Sequence, residues 1–388
     1  MINQLRFRCT IMRGGTSKAV FLKENELPKD PILREKVILA IFGSPDVRQI
    51  DGLGGSDITT SKVAIIGPST RDDADIDYTF GQVLLTSAKV DFNANCGNIS
   101  SAVAPFAIDE GMVRVTHPVT TVRIHNTNSG KILISEVQVT EDGFAEVDGD
   151  FAIDGVPGTG SLIRLNFAGT AGAFTGKVLP TGNPVDMLEV EGLGTIPVSI
   201  VDLANTTAFV EAKYVNATGY EPAPDIRADK ALRDRLECVR QAAAEAIGFV
   251  KPGESALEKS PILPIIAMVA PARDYIDYGS GNTVRGEDMD FAARNLFNQM
   301  PTDTFPTTAT FCITVAAQIE GTVVNKVCKE RAHAEKLVRF GHSRGINAVE
   351  ADVDNTPDGL VVKKAIFKRT ARRILDGIVY VRKSVIES

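Results

Sequence analysis

Residues 98–110 form a run, Asn-Ile-Ser-Ser-Ala-Val-Ala-Pro-Phe-Ala-Ile-Asp-Glu, that is small and apolar on nearly every side. A helix with no polar stripe cannot lie on a surface, so it has to be enclosed by other elements. A comparable run follows Pro306-Thr307-Thr308-Ala309-Thr310 and ends at Glu320-Gly321, as the first ends at Glu110-Gly111. Around these runs the chain alternates short segments rich in branched residues with turn signals. Residues 63–66, 82–85, 121–125 and 131–139 read as strands. The echo predicts an α+β chain of two similar halves, each a buried helix wrapped by antiparallel strands. At 388 residues there is enough chain for two such cores. The Pro- and Gly-rich turn Leu179-Pro180-Thr181-Gly182-Asn183-Pro184 is the expected seam. Residues 232–247 read as a surface helix, with Leu236, Val239, Ala243 and Ile247 on one face, and 287–298 as a further helix.

Composition narrows the function classes. A net charge of −7 leaves no basic footprint for nucleic acid, although a few cations and backbone amides gathered locally can still hold an acidic ligand. No segment approaches the roughly 18–20 uninterrupted apolar residues of a membrane helix. Residues 1–15 carry Arg6, Arg8 and Arg13 without an apolar core or a small-residue cleavage site, so a cytoplasmic protein is expected. Five cysteines (Cys9, Cys96, Cys238, Cys312, Cys328) and four histidines are scattered with no CxxC pair. Neither a disulfide framework nor a metal centre is expected, and the cysteines should be free thiols.

Three segments carry chemistry. In Asn93-Ala94-Asn95-Cys96-Gly97-Asn98 a cysteine stands at the mouth of the first apolar helix, where unpaired amides and the helix dipole favour a thiolate. Gly97 lets amides close on a carboxylate. The competing reading is a capping asparagine before a structural helix, with Cys96 as filler. In Thr59-Thr60-Ser61-Lys62-Val63-Ala64-Ile65-Ile66 a lysine enters an apolar strand after the glycine turn at 52–55. Lysine seldom tolerates burial, and in a dry cleft it becomes usable for acid–base work; otherwise it marks a solvated strand end or an edge. Met12-Arg13-Gly14-Gly15-Thr16-Ser17-Lys18 has the make-up of an anion cradle, or of a polar hairpin turn. Its spacing is not that of a Walker loop, and no Rossmann fingerprint occurs, so no nucleotide is implied. Weaker candidates are the turn around Thr181, Gly182 and Asn183, the Gly279-Ser280-Gly281-Asn282-Thr283 turn, and Arg339-Phe340-Gly341-His342-Ser343-Arg344-Gly345, whose histidine and two arginines suit a carboxylate. Cys9, Cys238, Cys312 and Cys328 read as structural.

On these residues the chain resembles the PrpF, or methylaconitate isomerase, family of the diaminopimelate-epimerase-like superfamily. The resemblance is carried by MRGGTSK (12–18), GSPDVRQIDGLGG (43–55), TSKVAII (60–66), DYTFGQV (77–83), NCGN (95–98), PTGN (180–183) and RFGH (339–342). Within the family, IFGSPDVRQIDGLGG (41–55), HNTNSGK (125–131) and TGKVLPTGN (175–183) are most similar to the 3-methylitaconate Δ-isomerase branch. The resemblance implies two pseudo-symmetric domains, each a curved antiparallel sheet around a central helix, with the active site in the cleft between them. Their expected limits are 1–183, completed by the C-terminal strand at about 376–388, and 184–375. It implies a cofactor- and metal-independent isomerase with Cys96 and Lys62 as the catalytic pair. Arg13, Gly14, Gly15, Thr16, Ser17, Ser61, Asn95, Gly97, Asn98, Thr181, Gly182, Asn183, Ser280, Thr308, Thr310 and His342 are the expected substrate-binding residues. In the related epimerases each half supplies a cysteine at a helix start; the second half here offers Thr307-Thr308-Ala309-Thr310 instead, which speaks against two-thiol racemase chemistry.

The expected reaction is an allylic 1,3-proton shift in a small unsaturated di- or tricarboxylic acid, such as 3-methylitaconate to dimethylmaleate. The alternatives are 2-methylaconitate cis–trans isomerisation, aconitate Δ-isomerisation, 4-oxalomesaconate tautomerisation and, from another class, a non-catalytic carboxylate-binding accessory protein. The expected partner is the small polycarboxylate, with neither nucleic acid nor membrane. Sequence leaves the oligomeric state, a homo-oligomer included, open.

Overall fold

The strand Gln4–Gly14 turns back at Gly15 and Thr16 into Ser17–Lys23, its antiparallel neighbour. On its other side it pairs from Gln4↔Arg382 to Gly14↔Ala371 with the C-terminal strand Ala371–Arg382. The computed structural model describes residues 4–92, 95–153, 155–356 and 359–387. It divides into one unit of residues 1–166 with 368–388 and a second of 167–367.

In the first unit Ser17–Lys23 runs parallel to Lys62–Pro68 (Ala19↔Lys62), which pairs antiparallel with Ile76–Val83 (Lys62↔Gln82). Ile76–Val83 runs parallel to Val119–Asn126, and antiparallel Lys131–Gln138 and Ile163–Asn166 finish the sheet. The two parallel neighbours need crossovers, and each crossover is a helix. Pro31–Phe42 is the first; Asp30 caps it by accepting from the Leu33 amide at 2.8 Å, with proline at its first position. Gly97–Asp109 is the second and lies inside the wrap of strands, as its lack of a polar face requires. Ring centroids of Phe21 and Phe106 sit 5.3 Å apart, which marks the inner face of Ser17–Lys23. The outer face is covered by Pro31–Phe42, whose Val37, Ile38, Ile41 and Phe42 pack with Val20, Leu22, Val63 and Ile65. Strands buried on both faces read as unbroken apolar runs.

The second unit repeats this succession. Asp186–Val190, Gly194–Leu203 and Asn205–Glu211 are antiparallel neighbours, and Asn205–Glu211 runs parallel to Ile265–Pro271 (Thr207↔Ile265). Ile265–Pro271 pairs antiparallel with Phe291–Phe297, which runs parallel to Leu337–His342; antiparallel Gly345–Thr356 and Gly359–Arg369 follow. The crossovers are Lys230–Ala246, with Leu232, Leu236, Val239 and Ala243 on the core, and the buried helix Thr307–Gln318. Both units therefore share one order of antiparallel and parallel neighbours, with helices at matching points. The sheets are mixed, where purely antiparallel ones were expected.

Three sequence expectations need adjusting. Residues 287–298 do not form the expected helix: after a single 3-10 turn at Gly286–Asp288 they hold the strand Phe291–Phe297, whose first six residues are buried. Covered on both faces, it lacks the alternation that marks a strand. The strand expected at 82–85 is Ile76–Val83. The units divide at 166/167 and 367/368 rather than near 183 and 376. The segment after 167 is tied to the second unit by Gly172 N donating to Asp202 O (2.9 Å) and Asp202 N to Val178 O (2.9 Å). The whole of Ala371–Arg382 is needed to pair Gln4–Gly14.

Candidate active site

Lys62 opens its strand on the inner face, in register with Ala19 and Gln82 and in phase with Ala64 and Ile66. It is only 9% exposed. Its Nζ donates to Gln82 Oε1 at 2.6 Å and lies 5.2 Å from the Phe80 ring centroid, so the charge is met by an amide dipole and an aromatic face.

Cys96 is the N-cap residue of Gly97–Asp109, in extended backbone conformation and half-buried; its own side chain makes no capping hydrogen bond. The first amides thus face outward along the helix axis, the arrangement that favours an anion. The Cys96 carbonyl accepts from the Ser100 amide (3.0 Å) and hydroxyl (2.9 Å), which fixes the residue to the first turn. Tyr78, opposite Ile66 on the inner face, points its buried hydroxyl toward Cys96 and Ser100; burial pushes this phenol well above its ordinary range, and the nearby sulfur adds to that. Asn95 has a buried Oδ1 with no partner among the described residues, while Asn93 and Ala94 lie outside them.

The Gly14-Gly15 turn joins these parts. A Cβ on Gly14 would lie 2.5 Å from the Asn98 carbonyl, and one on Gly15, whose φ is +50°, 2.3 Å from Asn98 Oδ1. Only glycine lets the hairpin rest on the helix start this closely. Asn98 Nδ2 donates to Thr16 Oγ1 (3.1 Å), and Arg369 Nε donates to Asn98 Oδ1 (3.1 Å). Gly14, Gly15, Thr16 and Asn98 therefore form one packed junction. Ser17 follows, buried, on the inner face two residues before the Ala19↔Lys62 pair. The helix start at Gly97 and Asn98 thus rests on the hairpin whose Ser17 leads into the strand paired with Lys62. Arg13 braces the hairpin: its Nη1 donates to Gly15 O (3.0 Å) and Thr370 O (2.9 Å). The Gly15 amide donates to Thr370 O (3.0 Å). Ser61 is fully buried and donates to Gln49 Oε1 at 2.6 Å, which ties down the loop before Lys62.

Two supporting residues escaped the sequence. Gln82 is one. Asn128 is the other: its Nδ2 donates to Phe80 O (2.8 Å) and Phe92 O (2.7 Å), holding the loop that leads to Cys96 against the strand that carries Phe80 and Gln82. Neutral amides give no signal until strand register shows what they face.

The second unit has the same frame with other side chains. By register, Asn205 answers to Ser17, Ile265 to Lys62 and the N-cap Pro306 to Cys96. Neither amine nor thiol recurs. Thr308 Oγ1 accepts from Asn205 Nδ2 at 2.8 Å, and Thr310 donates back to Pro306 O at 3.0 Å. Cys312, deeper in the helix, donates to the Leu203 and Asn205 carbonyls at 3.0 and 2.7 Å; burial pushes its thiol up to about 12. Thr181 and Asn183 both donate to Asp186 (2.7 and 2.8 Å). Gly182 lines a cavity of about 710 Å³ with Lys177, Ile319, Glu320 and Asn355, at the C-terminal end of Thr307–Gln318. That end is roughly 15 Å from Thr308, at 1.5 Å rise per residue, so the two sets are not gathered. Ser280 is exposed and donates to Asp277, which also pairs with Arg344 Nε at 2.9 Å. Arg339 Nη2 donates to Glu335 at 2.7 Å. His342 is 4% exposed; burial, then the Arg294 charge, lowers it to about 4, so it is a neutral acceptor for the Arg344 amide (3.2 Å). Arg339 and Arg344 thus pair with Glu335 and Asp277, while Arg339 Nη1 is buried without a hydrogen-bond partner among the described residues. Among the described residues no group of three or more His, Cys, Asp or Glu is gathered as metal ligands, and no helix is long and apolar enough to cross a membrane.

The α+β architecture of two such units, each a central helix wrapped by a sheet, together with the chain's relatives defines an isomerase. The chain belongs to the PrpF family, whose model, described as PrpF protein, matches residues 4–382. It is 53% identical over 384 residues to the 3-methylitaconate isomerase of Eubacterium barkeri, covering 99% of each chain. It is 37% identical over 378 residues to the 4-oxalomesaconate tautomerase of Pseudomonas putida, covering 97% of each. The crystal structure of methylitaconate-delta-isomerase matches with a TM-score of 0.91 at 53% identity, over 99% of this chain and 97% of that one.

Proposed function

We propose that this chain catalyses a cofactor-independent allylic 1,3-proton shift in a small unsaturated dicarboxylic acid, with 3-methylitaconate and dimethylmaleate as the interconverting pair. The carbon bearing hydrogen between a carboxylate and the methylene-substituted carbon loses its proton to one member of the Cys96–Lys62 pair. The electron pair spreads into a dienolate, and a proton is delivered to the terminal methylene carbon two atoms away. One C–H bond breaks, one forms, and no electron leaves the substrate. The negative charge of the intermediate is met by the helix-start amides at Gly97 and Asn98 and by the Lys62 ammonium. Ser17 is the proposed further donor to a carboxylate.

The observation that supports this reading is an amine held at the start of Lys62–Pro68, on the inner face of the sheet that wraps the helix whose N-cap is Cys96. The 53% identity to 3-methylitaconate isomerase over almost the whole chain supports that acid as substrate. The same reading makes the protein a cytoplasmic enzyme whose partner is its small substrate, with neither nucleic acid nor membrane. Purified protein, given 3-methylitaconate, methylaconitate, aconitate and oxalomesaconate without added metal or nucleotide, separates the readings by ultraviolet absorbance. Turnover of 3-methylitaconate alone, or far above the others, is expected. Preferred turnover of oxalomesaconate would favour the tautomerase reading, and substrate binding without proton exchange would make the chain a carboxylate-binding protein.

A further inference from the structure

Gln82 stands directly opposite Lys62 in the antiparallel pair of Lys62–Pro68 and Ile76–Val83. Its Nε2 donates to two main-chain carbonyls, Ile58 at 3.1 Å and Ser61 at 2.9 Å. Those two acceptors settle which way the carboxamide faces, because a flipped amide would set oxygen against oxygen. Oε1 is left to accept from the Lys62 amine at 2.6 Å. With the Phe80 ring taking a second side, a three-donor ammonium retains a direction for a ligand. A carboxylate would lose those two donor bonds, and beside the amine it would favour the charged form and oppose release of the proton. An apolar side chain would leave the amine unaimed.

We infer that Gln82 is a positioning residue for Lys62: a neutral acceptor, clamped by the Ile58 and Ser61 carbonyls, that aims the amine without placing a formal charge beside it. This rests on the proposed role of Lys62 in proton transfer. Through the same clamp the loop before Lys62 is coupled to the amine, since Ser61 is itself held by Gln49.

The test compares Gln82→Glu, Gln82→Met and Lys62→Ala with the wild type in two measurements. One is the pH profile of kcat/KM on 3-methylitaconate. The other is the pH dependence of Lys62 acylation by acetic anhydride, read by peptide mass spectrometry, which needs no turnover. Gln82→Glu should carry both the labelling curve and one limb of the rate profile to higher pH by about one unit or more. Gln82→Met should carry both to lower pH, and in each variant kcat should fall by at least about tenfold with KM little changed. A purely structural role would not move the two variants in opposite directions. Labelling curves that coincide with the wild type in both variants would overturn the inference. If labelling moves while the rate profile stays, the inference also fails; full activity of Lys62→Ala would then trace the failure to the role given to Lys62. Gln82→Glu is nearly isosteric, so it retains the test if Gln82→Met does not fold.

Discussion

Cys96 and Cys312 belong to helices that fill matching places in the two units, yet their sulfurs meet opposite fates. Cys312 is sealed in and donates to backbone carbonyls, with its thiol pushed to about 12 by burial. Cys328 is likewise raised to about 12, and Cys9 and Cys238 are raised, burial being the main cause in each. Cys96 is half-buried at the N-cap of its helix. Iodoacetamide at pH 8 should therefore modify Cys96 first, with activity lost in step and 3-methylitaconate protecting; peptide mapping should find Cys312 untouched until the chain unfolds. His342 offers a second residue-scale check. Its folded value of about 4 lies below the ordinary 6.5, so the unfolded chain binds a proton that the folded one refuses. Its contribution is intact above pH 6.5 and drains away as pH falls from 6.5 to 4, on the order of 3 kcal/mol in all. His342→Gln should flatten the pH dependence of thermal unfolding across that window. A slope equal to the wild type's would show that His342 takes up its proton while folded.

At the scale of elements, the decisive join is the Gly14-Gly15 hairpin on the first turn of Gly97–Asp109. Gly14→Ala drives a Cβ against the Asn98 carbonyl, so hairpin or helix start must shift. Overpacking of this kind costs about 1–3 kcal/mol. Because Cys96 lies two residues before Asn98, kcat should fall further than stability alone explains, with urea unfolding and kinetics read on the same sample. The sequence showed the helix itself within a residue at each end, because apolar residues on every side have only one outcome. It did not show what the glycines were for. A cradle for an anion and a seat for a helix have the same composition, and the Arg13 contacts with Gly15 and Thr370 carbonyls depend on a strand from the far end of the chain. Lys62 and Cys96 stood out as chemically odd in their settings. Gln82 did not, since its meaning lies in pairing with a residue twenty positions away. Phe291–Phe297 was hidden for another reason: burial on both faces erased its period.

Across the whole molecule, one plan is built twice with different side chains at its matching positions. The first unit has Lys62 and Cys96 where the second has Ile265 and Pro306. The first unit is also discontinuous in sequence, and Gln4–Gly14 depends along its length on Ala371–Arg382. Ending the chain at Phe367 should leave that strand without its partner and yield protein that is insoluble or lacks cooperative unfolding in circular dichroism; a soluble, active truncation would show the pairing to be dispensable. The most direct measurement of the proposed chemistry is solvent-deuterium uptake into 3-methylitaconate and dimethylmaleate, followed by NMR, for the wild type, Cys96→Ala and Lys62→Ala. Uptake by the wild type and a loss of about 10²–10⁴-fold in each variant, with melting temperature and substrate binding kept, is the expected outcome. Cys96→Ala exchanging and isomerising at close to the normal rate would contradict it.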